Sequence, residues 1–266
     1  MTLSHKEWII DVFDRASPEF GEKASNYFNY FAERLVEFGH LTKNEKVLDA
    51  ATGKGAILSA AARILEPPAR IVGIDISTKM LQEAKKRVPS WVELMQMDAE
   101  HLTFSDHSFD VVFCAFAIYF FPNVQAVLAE FKRVLKPRGR LVVSSFGPRH
   151  PLFDWTYQRC RELGASREML INRFETADSL KEQFEMAHFC NIKTSTESCS
   201  YSFENAKGWW DSIWTHGMRA MLEQLSPQNL ETLRQGSFAH ARQLYQSNKI
   251  NVDSQAVFIS AQTDFE

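Results

Sequence analysis

The chain has 266 residues, of which 45% are hydrophobic and 24% charged, enough for one large domain with an insertion or for a domain plus a cap. A formal net charge of −3 gives no general pull toward nucleic acid, and the longest apolar run, residues 111–121, is too short to span a bilayer. The first seven residues lack a basic-then-apolar signal pattern. Cys114, Cys160, Cys190 and Cys199 show no metal or redox spacing, so a cytoplasmic protein with free thiols, no bound metal and no stable membrane insertion is expected.

The N-terminal segment opens with an amphipathic pattern around Trp8, Ile9, Val12 and Phe13, broken at Ser17, Pro18 and Gly21. A second helical pattern runs through Tyr27, Phe28, Phe31, Leu35 and Phe38 and stops at Gly39. These features predict a helical lid packed on the sheet edge.

Residues 47–57 read VLDAATGKGAI. A short apolar run ends in an acid, crosses a small-residue turn and enters an Ala/Leu-rich helix. Gly53 and Gly55 open backbone angles closed to other residues and let a ligand approach the main chain. Twenty residues past Gly55, the run RIVGIDIS is a second buried strand ending in Asp75. An acid at that place and distance accepts ribose hydroxyls. The dinucleotide fingerprint would need Gly or Ala at position 58, which is Leu58. Asp49 would sit poorly beside a pyrophosphate but well beside an ammonium or sulfonium. A phosphate loop fits worse, because Gly53-Lys54 is followed by Gly55 rather than Ser or Thr. The turn therefore suits a cationic adenosyl ligand.

The unit then repeats. Strands are predicted at 91–96, 109–113 and 139–146, and crossover helices at 56–65 and 78–88. A third helix carries Val124, Val127, Leu128, Phe131 and Leu135 on one face, with Pro137 and Gly139 ending it. Such alternation implies a parallel sheet covered on both faces. Past Gly147, helical patterns cover 154–163 and 177–187, residues 191–203 alternate like a strand, helices follow at 205–216 and 227–246, and 252–262 form the last strand.

The ordered segments DAATGKG, GIDIS, MDAEHL, FDVVFCAFAIYFFPN and EFKRVLKPRGRLVVSSF, spanning about residues 46–147, resemble the class I S-adenosylmethionine-dependent methyltransferases. The likeness is strongest to the branch of ubiquinone/menaquinone C-methyltransferases and related small-molecule enzymes. It implies an α/β, Rossmann-like seven-stranded sheet whose last strand is antiparallel. The division implied is a helical lid at 1–45, a cofactor core at 46–147, a cap insertion at 148–190, and closing strands with a helical cap between them at 191–266. The cofactor implied is S-adenosylmethionine. By the resemblance, Asp49, Ala50, Ala51, Thr52, Gly53 and Gly55 hold its methionine end and Asp75 its ribose. Ile76 and Met80 line the adenine, Asp98 with Ala99 reads the adenine amino group, and Cys114, Ala115 and Phe116 lie beside the methyl donor. Ala51 stands where the family has its first glycine.

Aromatic residues crowd the segments around the expected site. Phe20, Phe116, Tyr119, Phe146 and Trp214 are the candidate walls of an acceptor pocket, and a few aromatics can cradle a sulfonium. In-line methyl transfer needs mainly alignment, worth about 7–11 kcal/mol, and a base only for a poorly acidic acceptor. The catalytic group is therefore not readable. His216 is the candidate, because histidine titrates near neutrality, and His150 is a weaker one. His101 and His107 lie on other loops, and His240 reads as surface. The acceptor expected is a neutral, largely apolar small molecule such as a quinone or polyketide, because residues around 209–214 offer only Lys207 and Arg219 as cations. The alternatives are an NAD-dependent oxidoreductase and a cofactor-binding module without turnover. Oligomeric state and the accepting atom stay open.

Overall fold

The computed structural model describes residues 4–21, 27–167, 173–245, 247 and 249–264. The first three residues and the expected helix end at Gln246 lie outside the described residues.

Five strands form the parallel part of the sheet: β1 (Val47–Ala50), β2 (Ile71–Asp75), β3 (Glu93–Gln96), β4 (Phe109–Ala115) and β5 (Leu135–Phe146). Two long strands close it, β6 (Cys190–Phe203) and β7 (Ile250–Gln262). The order is β3-β2-β1-β4-β5-β7-β6, with β7 antiparallel to both neighbours. This is the expected seven-stranded Rossmann-like sheet. β1, in its centre, is buried at every residue, as a strand covered on both faces must be.

The helices of the described residues are, in chain order, α1 (His5–Ala16), α2 (Tyr27–Phe38), α3 (Ala56–Ala61), α4 (Thr78–Ala84), α5 (Val124–Val134), α6 (Pro151–Glu162), α7 (Ala177–Met186) and α8 (Ala206–Ile213). They are followed by α9 (Arg219–Leu222) and α10 (Pro227–Leu244). Local chemistry sets their starts. Ser4 and Glu7 make a capping box on α1, Ser77 caps α4 through the Met80 N–H, and Ser226 caps α10 ahead of Pro227.

Several boundaries differ from the pattern reading. The Pro137–Gly139 segment does not separate helix from strand. It lies inside β5, where the register against β4 shifts between Phe109 and Val111. A Cβ on Gly139 would stand 2.7 Å from the Lys136 carbonyl, so the shift requires glycine there. α3 and α4 stop short of residues 65 and 88. α6 begins at Pro151 rather than 154, because His150 caps it and proline is preformed for the first helical position. A short 3-10 turn, Ile118–Phe120, and α9 carry no periodicity that sequence reading could detect.

Two apolar cores result. One joins the sheet to α2, α3, α5 and α7 through residues such as Phe31, Leu58, Phe131 and Phe184. The other is built around Trp209 from α6, α8, α9 and α10, together with Trp8, Ile9 and Val12 of α1. The N-terminal segment is thus split: α2 packs on the sheet and α1 packs into the cap. Phe120 and Tyr201 touch both cores.

Candidate active site

A cavity of about 770 Å³ lies between the two cores at the carboxyl ends of β1, β2, β4 and β5. This is the edge where open parallel sheets bind their ligands. Asp49, Ala51, Thr52, Gly53, Gly55, Asp75, Ile76, Met80, Asp98, Ala99 and Ala115 all line it. Ala50 and Cys114 do not. Both are strand residues with no exposed surface, turned into the sheet core, and burial pushes the Cys114 thiol well above its ordinary range.

The β1–α3 turn is shaped by backbone strain. Ala51 has φ +55°, Gly53 φ +53° and Gly55 φ +81°. Ala51 therefore occupies the left-handed region, in which glycine would be relaxed. A Cβ on Gly53 would meet nothing within 4 Å, while one on Gly55 would stand 2.9 Å from Val88 Cγ1. Phe116, at the end of β4, is also left-handed, with φ +51°. Its N–H donates to the Ser144 carbonyl at 3.0 Å and to Ser144 Oγ at 3.1 Å. This turns the Phe116 ring against Phe146, with centroids 4.6 Å apart.

Two buried carboxyls mark one end of the cavity. Asp49 is 1% exposed, and the Thr52 hydroxyl that donates to it is its partner among the described residues. Burial, with Asp75 nearby, pushes its pKa up to about 8. Asp75 accepts the Gly53 N–H and the Ser77 N–H, each at 2.8 Å. Burial raises its pKa to about 6 against those bonds. Each Asp75 oxygen keeps a further lone pair.

The N-terminal segment roofs this end. Lys6 donates to Asp98 Oδ2 at 2.6 Å and also pairs with Glu100. Ser77 donates to Asp14 of α1. Lys54 reaches the Phe20 carbonyl at 2.9 Å. Phe13 and Phe20 line the cavity edge-to-face, 5.7 Å apart, and Phe13 meets Phe120 at 5.2 Å. Sequence reading did not single out Lys6, since an ion pair across ninety residues leaves no local pattern.

At the other end, Phe116, Tyr119 and Phe146 line the cavity with Tyr27, Phe28, Phe153 and Tyr201. Trp214 does not. It packs on the Trp209 core, because the α8 period buries one face without saying whether core or cavity lies beyond it. His240 is not free surface either: it stacks on Trp155 at 4.9 Å.

His216 borders the cavity with its ring 5.5 Å from Phe153. Its Nδ1 accepts the Met218 N–H at 3.5 Å, which places the proton of the neutral ring on Nε2. Burial lowers its pKa to about 4. His150 is engaged in structure. Its Nδ1 accepts the Leu152 N–H at 3.3 Å, and its Nε2 stands 2.7 Å from the Tyr245 hydroxyl, which donates to the Asn251 carbonyl at 2.8 Å.

The family model described as a methyltransferase domain matches residues 48–143. The chain is 28% identical to an aklanonic acid methyltransferase of a Streptomyces species over 220 residues, covering 74% of this chain and 98% of that one. It is 26% identical to a demethylmenaquinone methyltransferase of Lactobacillus johnsonii over 220 residues, covering 72% and 90%. In fold it is similar to a phosphoethanolamine N-methyltransferase of Haemonchus contortus solved with S-adenosyl-L-methionine. The TM-score there is 0.52 at 18% identity, over 86% of this chain and 51% of that one.

Proposed function

From a chain that is a class I S-adenosylmethionine-dependent methyltransferase, we propose that the cavity holds this cofactor at its Asp49–Asp75 end and a small, largely apolar acceptor at its aromatic end. The observation that carries the reading is the buried Asp49 carboxyl. It has no cation beside it among the described residues, and burial holds its pKa near 8. A ligand ammonium is the group that would let it ionise in place.

The neighbouring residues fit the rest of the cofactor. The spare lone pairs of Asp75 suit a ribose diol. Ile76, Met80 and Ala99 offer apolar surface for the adenine, with Asp98 at its polar edge. The open side of Gly53 admits a ligand against the main chain. When bound, S-adenosylmethionine supplies a methyl group already activated by its positively charged sulfur.

What the chain adds is position and exclusion of water. Phe116 and Phe146 wall the junction between the two ends, and the roof formed by Phe13, Phe20 and α1 closes it. No side chain is assigned as general base. The His216 Nδ1 already accepts the Met218 N–H, which leaves the proton of the neutral ring on Nε2. An acceptor that ionises unaided, or an already nucleophilic carbon, fits such a site. The relatives named above act, by their names, on aklanonic acid and on demethylmenaquinone. A ring-bearing acceptor buried among these aromatics gains about 25 cal/mol per Å² of apolar surface.

The test is production of S-adenosylhomocysteine by the purified chain with a panel of quinols, phenols, polyketides and amines. Turnover with a quinol, phenol or polyketide is expected. Turnover confined to tRNA or DNA would overturn the acceptor class.

A further inference from the structure

Arg149 stands three residues beyond the end of β5. It lines the cavity and keeps 15% of its side chain exposed. Its guanidinium lies 4.7 Å over the Tyr157 ring, which fixes its plane. Nε and Nη2 both donate to one oxygen of Asp154, at 3.2 and 2.6 Å. Nη1 stands 3.4 Å from Glu175 and makes no hydrogen bond among the described residues, although it is buried. A buried donor left unmade calls for an explanation. Asp154 and Glu175 are not part of the cavity wall, so they hold the guanidinium from behind.

The surroundings share a chemical sense. On the β5–β7–β6 side, the polar residues along the cavity include Tyr201, Ser254, Gln255 and His216, and the Tyr201 hydroxyl is 3.2 Å from Ser254 Oγ. No carboxylate lines this side among the described residues. The acids of the cavity, Glu33, Asp49, Asp75 and Asp98, belong to α2 and to the ends of β1, β2 and β3. A protonated amine placed beside Arg149 would meet a guanidinium and hydroxyls. An oxyanion there would meet a guanidinium whose Nε–Nη2 fork already donates to Asp154, which leaves the second Nη2 N–H as the donor it can offer.

We infer that Arg149 anchors an oxyanion of the methyl acceptor, a carboxylate, phenolate or enolate carried on an apolar, ring-bearing body. This rests on the aromatic end of the cavity being the acceptor site. It refines the neutral acceptor expected from sequence into an apolar body with one anionic oxygen group. Three residues span at most about 11 Å, so the anchor lies within the length of a fused-ring body from Phe146. Asp154, Glu175 and Tyr157 act through Arg149 as positioning residues.

The experiment measures binding to the wild-type chain saturated with S-adenosylhomocysteine. The probes are hydroxy-substituted aromatic carboxylic acids of one, two and three fused rings, each paired with its carboxamide and its aminomethyl analogue. At least one acid is expected to bind about ten- to a hundredfold tighter than its carboxamide, the range of a charge-assisted hydrogen bond. Its aminomethyl analogue should bind more weakly than both. Arg149→Gln should abolish the preference while S-adenosylhomocysteine affinity stays unchanged. Should that variant fail to fold, Arg149→Lys keeps the charge without the fork and should keep only part of the preference.

If no acid outbinds its carboxamide, or if the preference survives unchanged in Arg149→Gln, the assignment is overturned. Failure to bind S-adenosylhomocysteine at all would instead remove the cofactor reading, so the two failures are distinguishable.

Discussion

Leu58 of α3 and Gly73 of β2 lie so close that a Cβ built on Gly73 would stand 2.5 Å from Leu58 Cδ1. Dinucleotide-binding units obtain close helix–strand approach from a small residue on the helix. Here the strand supplies the small residue and the helix the large one. Gly73→Ala should therefore destabilise the chain by about 1–3 kcal/mol through overpacking. Because Leu58 is the obstacle, Leu58→Ala combined with Gly73→Ala should cost less than the two single changes added together. Additive effects in a denaturation series would show that the two residues do not share this space.

Asp75 should carry cofactor affinity. Charge-assisted hydrogen bonds are worth about 1.5–3 kcal/mol each, so Asp75→Ala is expected to weaken S-adenosylhomocysteine at least about tenfold by calorimetry. Unchanged affinity would remove this carboxylate from the ribose.

The raised carboxyls make a pH signature. Asp49 holds its proton up to about pH 8 in the folded chain, while an unfolded aspartate releases it near 3.9. The folded state therefore binds more protons across that window. Ligand-free stability from this group is complete below pH 4 and is lost as pH rises toward 8. Asp75 acts likewise up to about 6. His150 and His216, both lowered by burial, oppose the trend only below about 6.5. Between 6.5 and 8 the fall belongs to Asp49. A cation seated against Asp49 favours its ionised form, so the rise in melting temperature given by S-adenosylhomocysteine should grow across that same window. A rise of constant size from pH 6.5 to 8 would sink the pairing.

His216→Gln should keep turnover within about tenfold and leave cofactor affinity intact, since a neutral ring with its proton on Nε2 is not placed to accept another. Loss of a general base would cost roughly 10²–10⁴. A loss of that size, with S-adenosylhomocysteine still bound, would reinstate it as a base.

The sheet and the residues that gather at the Asp49–Asp75 end of the cavity were legible because their signals are local. A buried run ending in Asp49 or Asp75, followed by a turn and a helical period, is written within a dozen residues. The acceptor end was legible only in its aromatic content. Trp214 and Tyr119 look alike in sequence, yet Tyr119 faces the cavity and Trp214 the cap core. That distinction depends on which of two cores an element joins. Arg149 and Lys6 escaped for another reason. Their partners, Tyr157 with Glu175 and Asp98 with Glu100, are set by the fold and leave no periodicity. The nearest clue to Arg149 was a cation just past a strand end in an otherwise aromatic stretch.

The Trp209 core draws side chains from the N-terminus, from the segment after β5 and from the connection between β6 and β7. Three stretches far apart in the chain thus share one interior, which also takes in Phe203 of β6 and Ile250 and Val252 of β7. Acceptor preference is accordingly not a modular property of any one insertion. A chimera that transplants residues 206–244 alone from a relative would confront the resident Trp8, Ile9, Val12 and Leu152 with foreign partners. It should be recovered as insoluble or partly unfolded protein. Exchanging 5–16, 151–162 and 206–244 together keeps the contacts among these helices and leaves the seam against Phe203, Ile250 and Val252 to be matched. Breeding new acceptor ranges by recombination would therefore favour crossover points that keep these three stretches of common parentage.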